Sequence, residues 1–267
     1  MRFVKIDPPG SWCLNEALFE MLRRIEGRRF LEVGCGAGGV SLRLLEHGYT
    51  GTGIDFSLLA IEQASRQLKP FITKGKYRII EADLLDRPAL GKDFDIVIGL
   101  LIMEHIQDDT AFLEILKSYL RPGGHIIISV PGRKDKWSLE DETVGHIRRY
   151  DRQDLFDVFE KVGFINPEVW SIAVPAANIL FGLSNLTITH SKETDKIDLL
   201  LKNQTKTSGV REIPFKTVFP PFFKIVLNRV TLWPLFVMQR LFYHTDLGLT
   251  MLARAQRPEK GERQCQK

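Results

Sequence analysis

A run of glycines that follows a short apolar stretch is the first feature of the chain able to bind a ligand. The sequence is Leu31-Glu-Val-Gly-Cys-Gly-Ala-Gly38. Glycine lets the backbone come close to a ligand, and a helix that begins after such a turn points its N-terminus at that ligand. Gly34, Gly36 and Gly39 also fit the pattern G-x-G-x-x-G. The turn alone therefore predicts a nucleotide-type cofactor without choosing between cofactors.

Three carboxylates occupy sequence positions from which they could bind the same ligand as this turn. Asp55 ends the second apolar run, close to the spacing at which an acid hydrogen-bonds ribose hydroxyls. Asp83 ends the third run, where a carboxylate can accept the amino group of an adenine. Taken alone, Asp55 also fits an acid at a helix N-terminus, and Asp83 a capping or solvated acid. Glu32 lies inside the first run, where it requires a cationic or donor partner such as the amino group of a methionine moiety.

Two histidines and a tyrosine are candidates for removing a proton from a substrate. His105 follows the fourth apolar run, and His146 lies in Gly145-His-Ile-Arg-Arg-Tyr150, just before a predicted helix. Because a positioned His or Tyr can act as a general base, we take His146, His105 and Tyr150 as the catalytic candidates. The alternatives are a locally packed turn residue for His105 and a solvated loop residue for His146. The two arginines of this element can clamp an anion, or pair with the acids at residues 140–142.

Alternating strands and helices must position these residues. Short apolar runs predict strands at residues 29–33, 52–55, 77–82, 94–99 and 125–130. Helices are predicted between them and at residues 15–25, with Ser57 as one N-cap. The helix at 110–120 is expected to end at a breaker, residues 121–124. Runs such as IVIGLLI and IIISV suit strands buried on both faces, so the pattern predicts a parallel sheet with helices on both sides.

The pattern changes after Pro131. Residues 132–150 are predicted to form a polar loop, followed by a helix capped by Asp151 and a strand at 167–172. The last apolar run covers residues 249–255.

Five motifs in chain order resemble those of the class I S-adenosylmethionine methyltransferases. LEVGCGAGG is similar to their glycine-rich first motif, GIDFS to the ribose-binding second motif, and EADLLD to the third, with Asp83 at the adenine. FDIVIGLLIMEHI resembles the fourth strand and the turn after it, and LRPGGHIIISVP resembles the fifth motif. Together they cover about residues 29–131. Five motifs in this order and at the spacing of the family indicate it far more specifically than any one motif does.

The resemblance implies a fold, a cofactor and a set of cofactor-binding residues. The fold is α/β and Rossmann-like: a seven-stranded, mostly parallel sheet with helices on both faces, a helical insert, and an antiparallel last strand at residues 249–255. The cofactor is S-adenosyl-L-methionine, and no metal is required. The residues expected to bind it are Glu32, Gly34, Cys35, Gly36, Asp55, Phe56, Asp83, Leu84 and Leu100.

We expect three regions in the chain. The methyltransferase core comprises residues 1–173 and 248–255, the insert residues 174–247, and a charged, disordered tail residues 256–267. Within the insert, residues 215–243 are apolar but interrupted by polar side chains, which argues against a bilayer span. Pro234 is expected to kink or break the helix there.

Segment 215–243 is expected to be a lid over the acceptor pocket. Four aromatic side chains are predicted to face an apolar acceptor partly: Phe222, Phe223, Trp233 and Phe236. Four polar side chains fall on one narrow stripe: Lys224, Asn228, Thr231 and Gln239. A homodimer face or a peripheral membrane contact are the alternatives, the latter suiting a lipid-linked acceptor.

Composition narrows the function further. The 267 residues are 44% hydrophobic and 26% charged, as in an ordinary globular protein, and the net charge of +4 is too mild to predict a nucleic-acid partner. Three scattered cysteines show no metal spacing and favour a reducing, cytoplasmic setting. We therefore predict methyl transfer to a small-molecule hydroxyl in biosynthetic metabolism. The alternatives are a protein or RNA methyltransferase, a nicotinamide-dependent dehydrogenase, and a non-catalytic cofactor-binding protein.

Overall fold

The computed structural model describes residues 4–5, 9–178, 218–219, 221, 225 and 228–261. Their strands are β1 (Val4–Lys5), β2 (Arg29–Val33), β3 (Thr50–Asp55), β4 (Tyr77–Glu81), β5 (Phe94–Leu100), β6 (Leu120–Pro131), β7 (Ile165–Ile172), β8 (Val218–Phe219) and β9 (Thr250–Gln256). The helices are α1 (Pro9–Leu22), α2 (Gly39–Glu46), α3 (Leu58–Thr73), α4 (Asp109–Tyr119), α5 (Leu139–Val144), α6 (Arg152–Val162) and α7 (Arg229–Gln239).

Seven of these strands form one sheet in the order β4-β3-β2-β5-β6-β9-β7. The pairs from β4 to β6 are parallel. β9 runs antiparallel to β6, because Gly132 bonds to Leu249 at one end while Gly123 bonds to Arg257 at the other. The Rossmann-like fold with an antiparallel last strand is therefore confirmed. β1 and β8 form a separate antiparallel pair.

The central strands of this sheet are apolar because both of their faces are covered. Residues 96–98 of β5 and 126–128 of β6 are fully buried, as the sequence predicted for these runs. Parallel pairing brings the carboxyl ends of β2, β3, β4 and β5 to the same edge. Ligands bind at this edge in open α/β sheets.

The described residues fall into two compact units. One draws on Met1–Leu22, Pro131–Arg152 and Val169–Leu252, and the other on Arg23–Val130, Gln153–Glu168 and Ala253–Lys267. The first unit contains α1, α5 and α7. The second contains the glycine turn and the helices α2, α3 and α4.

Helix α7 is the longest described element of the predicted lid, and it packs on α1 within the first unit. Arg229 pairs with Glu16, and Arg240 with Glu20. The helix continues through Pro234, so the expected break is wrong.

Gln239, the last residue of α7 and a member of the expected polar stripe, is fully buried. Its side-chain amide donates to the carbonyl of Cys13 and accepts from the N–H of Ala173, so its polar atoms are paired without water. Phe236 is buried, whereas Trp233 is exposed. Phe222, Phe223 and Lys224 lie outside the described residues, as does most of the predicted insert.

Three boundaries differ from the sequence prediction for identifiable reasons. α1 begins at Pro9, since proline is accommodated in the first turn of a helix. β6 begins at Leu120 and runs through the expected breaker, because Gly123 and Gly124 pair with Arg257. The same pairing orders the first residues of the predicted tail, and Gln256 belongs to β9. Residues 262–267 of the tail lie outside the described residues.

The predicted loop at residues 132–150 contains a helix, α5. Ser138 precedes it and forms a capping box with Asp141 three residues later. The spacing S-x-x-D is a visible signal of a helix start in the sequence. The region is therefore more ordered than its polar composition indicated.

Gly53 in β3 makes room for the Tyr77 hydroxyl of the neighbouring strand. A Cβ at Gly53 would lie 1.9 Å from that oxygen and 3.0 Å from the Cys35 Sγ. Because Tyr77 is buried, its ring has little space to move away. We expect Gly53→Ala to lower the free energy of unfolding by about 1–3 kcal/mol, measured by urea denaturation.

Gly99→Ala in β5 is the matched control for this prediction. The nearest atom to its added Cβ is 3.8 Å away, an ordinary contact, so stability should stay close to that of the native chain. The pair Gly53→Ala with Tyr77→Phe should recover part of the loss. Equal stability of the two glycine variants would contradict the role assigned to Gly53.

Candidate functional site

The glycine turn between β2 and α2 is held by a carboxylate at the end of β3. One Asp55 oxygen accepts the N–H of Gly36 and the other accepts the N–H of Ser57, both at 2.9 Å. The N–H of Cys35 donates to the carbonyl of Ile54. Asp55 thus ties the turn to the start of α3, and a carboxylate has lone pairs left to accept further donors such as ribose hydroxyls.

Gly36 is the position where this turn is open. It has a φ of +53°, and a Cβ built on it meets nothing within 4 Å. By contrast, a Cβ at Gly34 or Gly38 would contact side chains at 2.7 Å. The backbone at Gly36 therefore borders free space that any larger residue would fill. This observation fits a turn that accommodates a cofactor.

Glu32 is buried next to the turn, and its partner is a hydroxyl. Ser41, at the start of α2, donates to a Glu32 oxygen and lies 2.8 Å from the Tyr77 hydroxyl. Burial raises the pKa of Glu32 to about 8, and the negative charge of Asp55 also raises it, while the hydrogen bond from Ser41 lowers it. The sequence predicted a donor partner, but neither Ser41 nor Tyr77 was identified as part of this group.

The raised pKa makes cofactor binding pH-dependent. Below pH 8 Glu32 holds a proton, so a ligand that brings a cationic amino group must release that proton to pair with the carboxylate. We expect the affinity for S-adenosylhomocysteine to rise between pH 6 and 8, by up to about tenfold per unit, and then to level off. Calorimetry across this range measures the effect.

Glu32→Gln is the control for this pH dependence, since an amide of the same size cannot titrate. Its affinity should change less steeply with pH. If the variant and the native protein show the same slope, the proton is released elsewhere and Glu32 does not meet the amino group.

The other predicted cofactor residues lie at the same strand edge. Asp55 pairs with Glu81 across β3 and β4, and Leu100 ends β5. Phe56 is exposed and Leu84 is buried. Asp83 accepts the N–H of Leu85 at 2.9 Å, which is the capping role that its sequence position also fitted. All nine predicted cofactor residues belong to the second unit, in or just after strands β2 to β5, and Cys35 is buried in the turn.

His105 lies beyond the end of β5 in the short 3-10 helix Met103–His105. Its N–H donates to the carbonyl of Ile102, as in a locally packed turn. Leu101, just before this helix, has a φ of +55°, which is strained for a side chain of this type. Such strain is concentrated at functional sites, so the turn keeps its place among the candidates.

His146 belongs to the first unit and is held by Asp141. Its Nδ1 lies 2.8 Å from an Asp141 oxygen, and only 14% of its side chain is exposed. Arg149 donates to the same carboxylate at 2.9 Å and to the carbonyl of Gly132. The solvated-loop alternative for His146 is therefore wrong. Tyr150 is buried, and its backbone bonds to Pro131 and Arg133.

Comparison with known proteins identifies the family. The model of a methyltransferase domain matches residues 13–169, more than half of the chain. The chain belongs to this family. The glycine turn and the strand order are those of the Rossmann-like fold expected for this family.

Individual relatives match a shorter part of the chain than the family model does. A ubiquinone biosynthesis O-methyltransferase of Alkalilimnicola ehrlichii is 33% identical over 120 residues, covering 44% of this chain and 47% of that protein. The matched stretch spans less than half the length of the curated relatives.

Two solved structures share the fold. A phosphoethanolamine N-methyltransferase 2 of Haemonchus contortus, complexed with S-adenosylhomocysteine, is 17% identical, with a TM-score of 0.58 over 93% of this chain and 53% of that one. The cyclase SpnF is 15% identical, with a TM-score of 0.56 over 91% and 82%.

Proposed function

We propose that the protein transfers a methyl group from S-adenosylmethionine to a hydroxyl of a small-molecule acceptor. The observation that carries this proposal is the glycine turn, which is open at Gly36 and tied to Asp55, in a chain of the methyltransferase-domain family. The relatives named O-methyltransferases support a hydroxyl as the acceptor group.

The cofactor residues have separable tasks in this proposal. Glu32 pairs with the amino group, the turn at Gly34–Gly36 borders the chain of the ligand, Asp55 accepts the ribose hydroxyls, and Asp83 accepts the adenine amino group. Cys35, Phe56, Leu84 and Leu100 supply apolar contacts. When bound, S-adenosylmethionine supplies an electrophilic methyl carbon, whose bond to sulfur breaks as the bond to the acceptor oxygen forms.

The acceptor proton requires a base, and His146 is the strongest candidate. A hydroxyl must lose its proton as it is methylated, and a positioned imidazole can take that proton. The hydrogen bond to a buried carboxylate orients the His146 ring, whereas Tyr150 is buried and His105 lies in a tight local turn. His105 and Tyr150 remain the alternatives.

A labelling experiment tests the function. The full chain is incubated with methyl-labelled S-adenosylmethionine and matched pairs of aromatic acceptors that carry either a hydroxyl or an amine. Label on the hydroxyl compounds alone supports O-methylation, and label on the amines alone contradicts it.

The labelling experiment also tests a non-methylating role, because one solved structure with this fold is a cyclase. Tight binding of S-adenosylhomocysteine with no label on any acceptor would favour a non-methylating role on this scaffold, because the fold itself does not set the reaction. Binding of a nicotinamide cofactor instead would point to the dehydrogenase alternative.

Helix α7 gives the lid proposal its physical basis. Three of its apolar side chains are exposed at helix spacing, Val230, Trp233 and Val237, and the exposed Leu241 continues this stripe just beyond the end of α7. No described helix has both the length and the apolar content to cross a membrane. We propose that this stripe contacts an apolar acceptor. A homodimer face and a peripheral contact with a lipid surface are the other occupants, and the cytoplasmic setting stays a prediction.

A double substitution in this stripe distinguishes the three possible binding partners: an apolar acceptor, a second copy of the chain and a lipid surface. In Trp233→Ser with Leu241→Ser we expect the acceptor KM to rise by about tenfold or more, since each buried apolar side chain contributes about 1.5–3 kcal/mol. The molecular mass and the binding to anionic lipid vesicles should not change.

The control is Leu247→Ser, which removes a similarly exposed side chain elsewhere in the same unit and should leave the KM unchanged. A lower mass in the double variant would identify a dimer face. Loss of vesicle binding alone would identify a lipid contact.

A further inference from the structure

The carboxylate of Asp141 is the centre of a compact group in the first unit. It is fully buried, although it lies in a region of polar sequence. One oxygen accepts from the N–H and the hydroxyl of Ser138, at 2.9 and 3.0 Å. The other lies 2.8 Å from the Nδ1 of His146, and Arg149 donates to both oxygens at 2.9 Å. A buried carboxylate is thus surrounded by donors.

The backbone brings His146 back onto this carboxylate. Helix α5 ends at Gly145, which has a φ of +80°, a conformation that favours glycine. The N–H of His146 then donates to the carbonyl of Asp141 at 2.9 Å. His146 is therefore fixed to one residue through both its main chain and its ring, and the ring has little freedom to rotate.

The protonation state of Asp141 suits a hydrogen-bond acceptor. Although burial opposes the charge, the hydrogen bonds from His146 and Arg149 lower the pKa of Asp141 to about 2. At neutral pH the group is a carboxylate and can only accept. The Nδ1 of His146, 2.8 Å from this acceptor, is therefore the nitrogen that donates, and in the neutral tautomer that this bond selects the lone pair is on Nε2.

We propose that Asp141 is a positioning residue that selects the tautomer of His146 and presents Nε2 as the base for the acceptor hydroxyl. The proton of that hydroxyl moves to Nε2, and the resulting imidazolium is stabilised by the carboxylate on its other side. Arg149 holds the carboxylate in place through the Gly132 carbonyl. This inference rests on the proposed role of His146 as the base.

Asp141→Asn tests the inference, with Asp95→Asn as the matched control. Asp95 is also paired with an arginine and with two backbone N–H groups, from Arg121, Arg28 and Arg29. In Asp141→Asn we expect kcat to fall by about a hundredfold to ten-thousandfold while both KM values stay within about threefold. In Asp95→Asn, kcat per folded molecule should be unchanged.

A spectroscopic readout separates positioning from a merely structural role. In long-range proton–nitrogen NMR spectra of the ligand-free protein, His146 should be protonated on Nδ1 in the native chain and on Nε2 in Asp141→Asn. An unchanged tautomer together with a kcat equal to that of the control overturns the inference. If Asp141→Asn does not fold, the double variant Asp141→Asn with Arg149→Met, which removes both charges, replaces it. The double variant should then show the same fall in kcat and the same change of tautomer.

His146→Gln distinguishes this inference from the proposed function. If His146→Gln is inactive while Asp141→Asn behaves like the control, the inference is wrong and the role of His146 stands. If His146→Gln turns over normally, the role of His146 as the base is wrong, and the inference fails with it.

Discussion

Gly36→Val is expected to lower the affinity for S-adenosylhomocysteine by about a hundredfold or more, with the fold retained. The glycine borders open space in the turn, and its Cβ would meet no protein atom within 4 Å. A valine there projects into the open space beside the turn, where the cofactor is proposed to lie. Isothermal calorimetry measures the affinity, and thermal unfolding confirms that the variant is folded.

Gly75→Val is the matched control for this prediction. Gly75 also has a positive φ, +67° against +53° for Gly36, and it also faces open space. It lies in the turn between α3 and β4, away from the glycine turn in sequence. Both variants therefore carry the same kind of backbone strain, and only Gly36→Val should lose binding. Equal affinity of the two variants would show that the cofactor does not lie against Gly36.

The second large effect is expected at His146. His146→Gln should lower kcat by about a hundredfold to ten-thousandfold, because glutamine cannot take the acceptor proton. The affinity for S-adenosylhomocysteine should stay within about threefold of the native value, since His146 is not among the residues proposed to bind the cofactor. Steady-state turnover and calorimetry on the same preparation measure the two quantities.

His105→Gln is the parallel variant that assigns the base. If it alone loses turnover, the base is His105, and the ring held by Asp141 has another role. Normal turnover in both variants would mean that the enzyme methylates by holding the acceptor in line, without a histidine base. The pair therefore decides between two histidines that the sequence left open.

The family resemblance and the structure differ in what they explain. Family membership accounts for the strand order, and the fold is shared with structures at 15–17% identity. It does not name the acceptor, because a cyclase has the same fold. We propose that the acceptor is set by parts of the chain outside the five motifs, such as the loop at residues 132–150 and helix α7.

The sequence by itself determined the cofactor edge. β2 occupies residues 29–33, as predicted, and Ser57 caps α3. The glycine turn and Asp55 were also found directly. These features depend on neighbouring residues, namely an apolar run, a turn and a capping side chain, so local sequence is enough to place them. The antiparallel last strand followed from the family resemblance, and β9 lies within one residue of the expected position.

Only the tertiary structure decided what the buried polar groups contact. Tyr77 of β4 is far in sequence from Glu32 and Ser41, and its hydroxyl reaches Ser41 because Gly53 of β3 leaves space for it. Gln239 was predicted on a polar stripe and is buried, because backbone groups of Cys13 and Ala173 satisfy it. A side chain's burial depends on what packs against it, and local periodicity does not contain that information.

For the loop at residues 132–150, the sequence contained part of the information and the tertiary structure supplied the rest. The capping spacing of Ser138 and Asp141 was visible in the sequence and indicated a helix start. Pairing of Arg149 with Asp141 was one of the alternatives left open by the sequence, whereas the contact of Asp141 with His146 was not predicted, because it requires the chain to turn back at Gly145. The sequence identified His146 as a candidate base. Only the fold showed how its ring is oriented, because a hydrogen bond requires both partners to be in place.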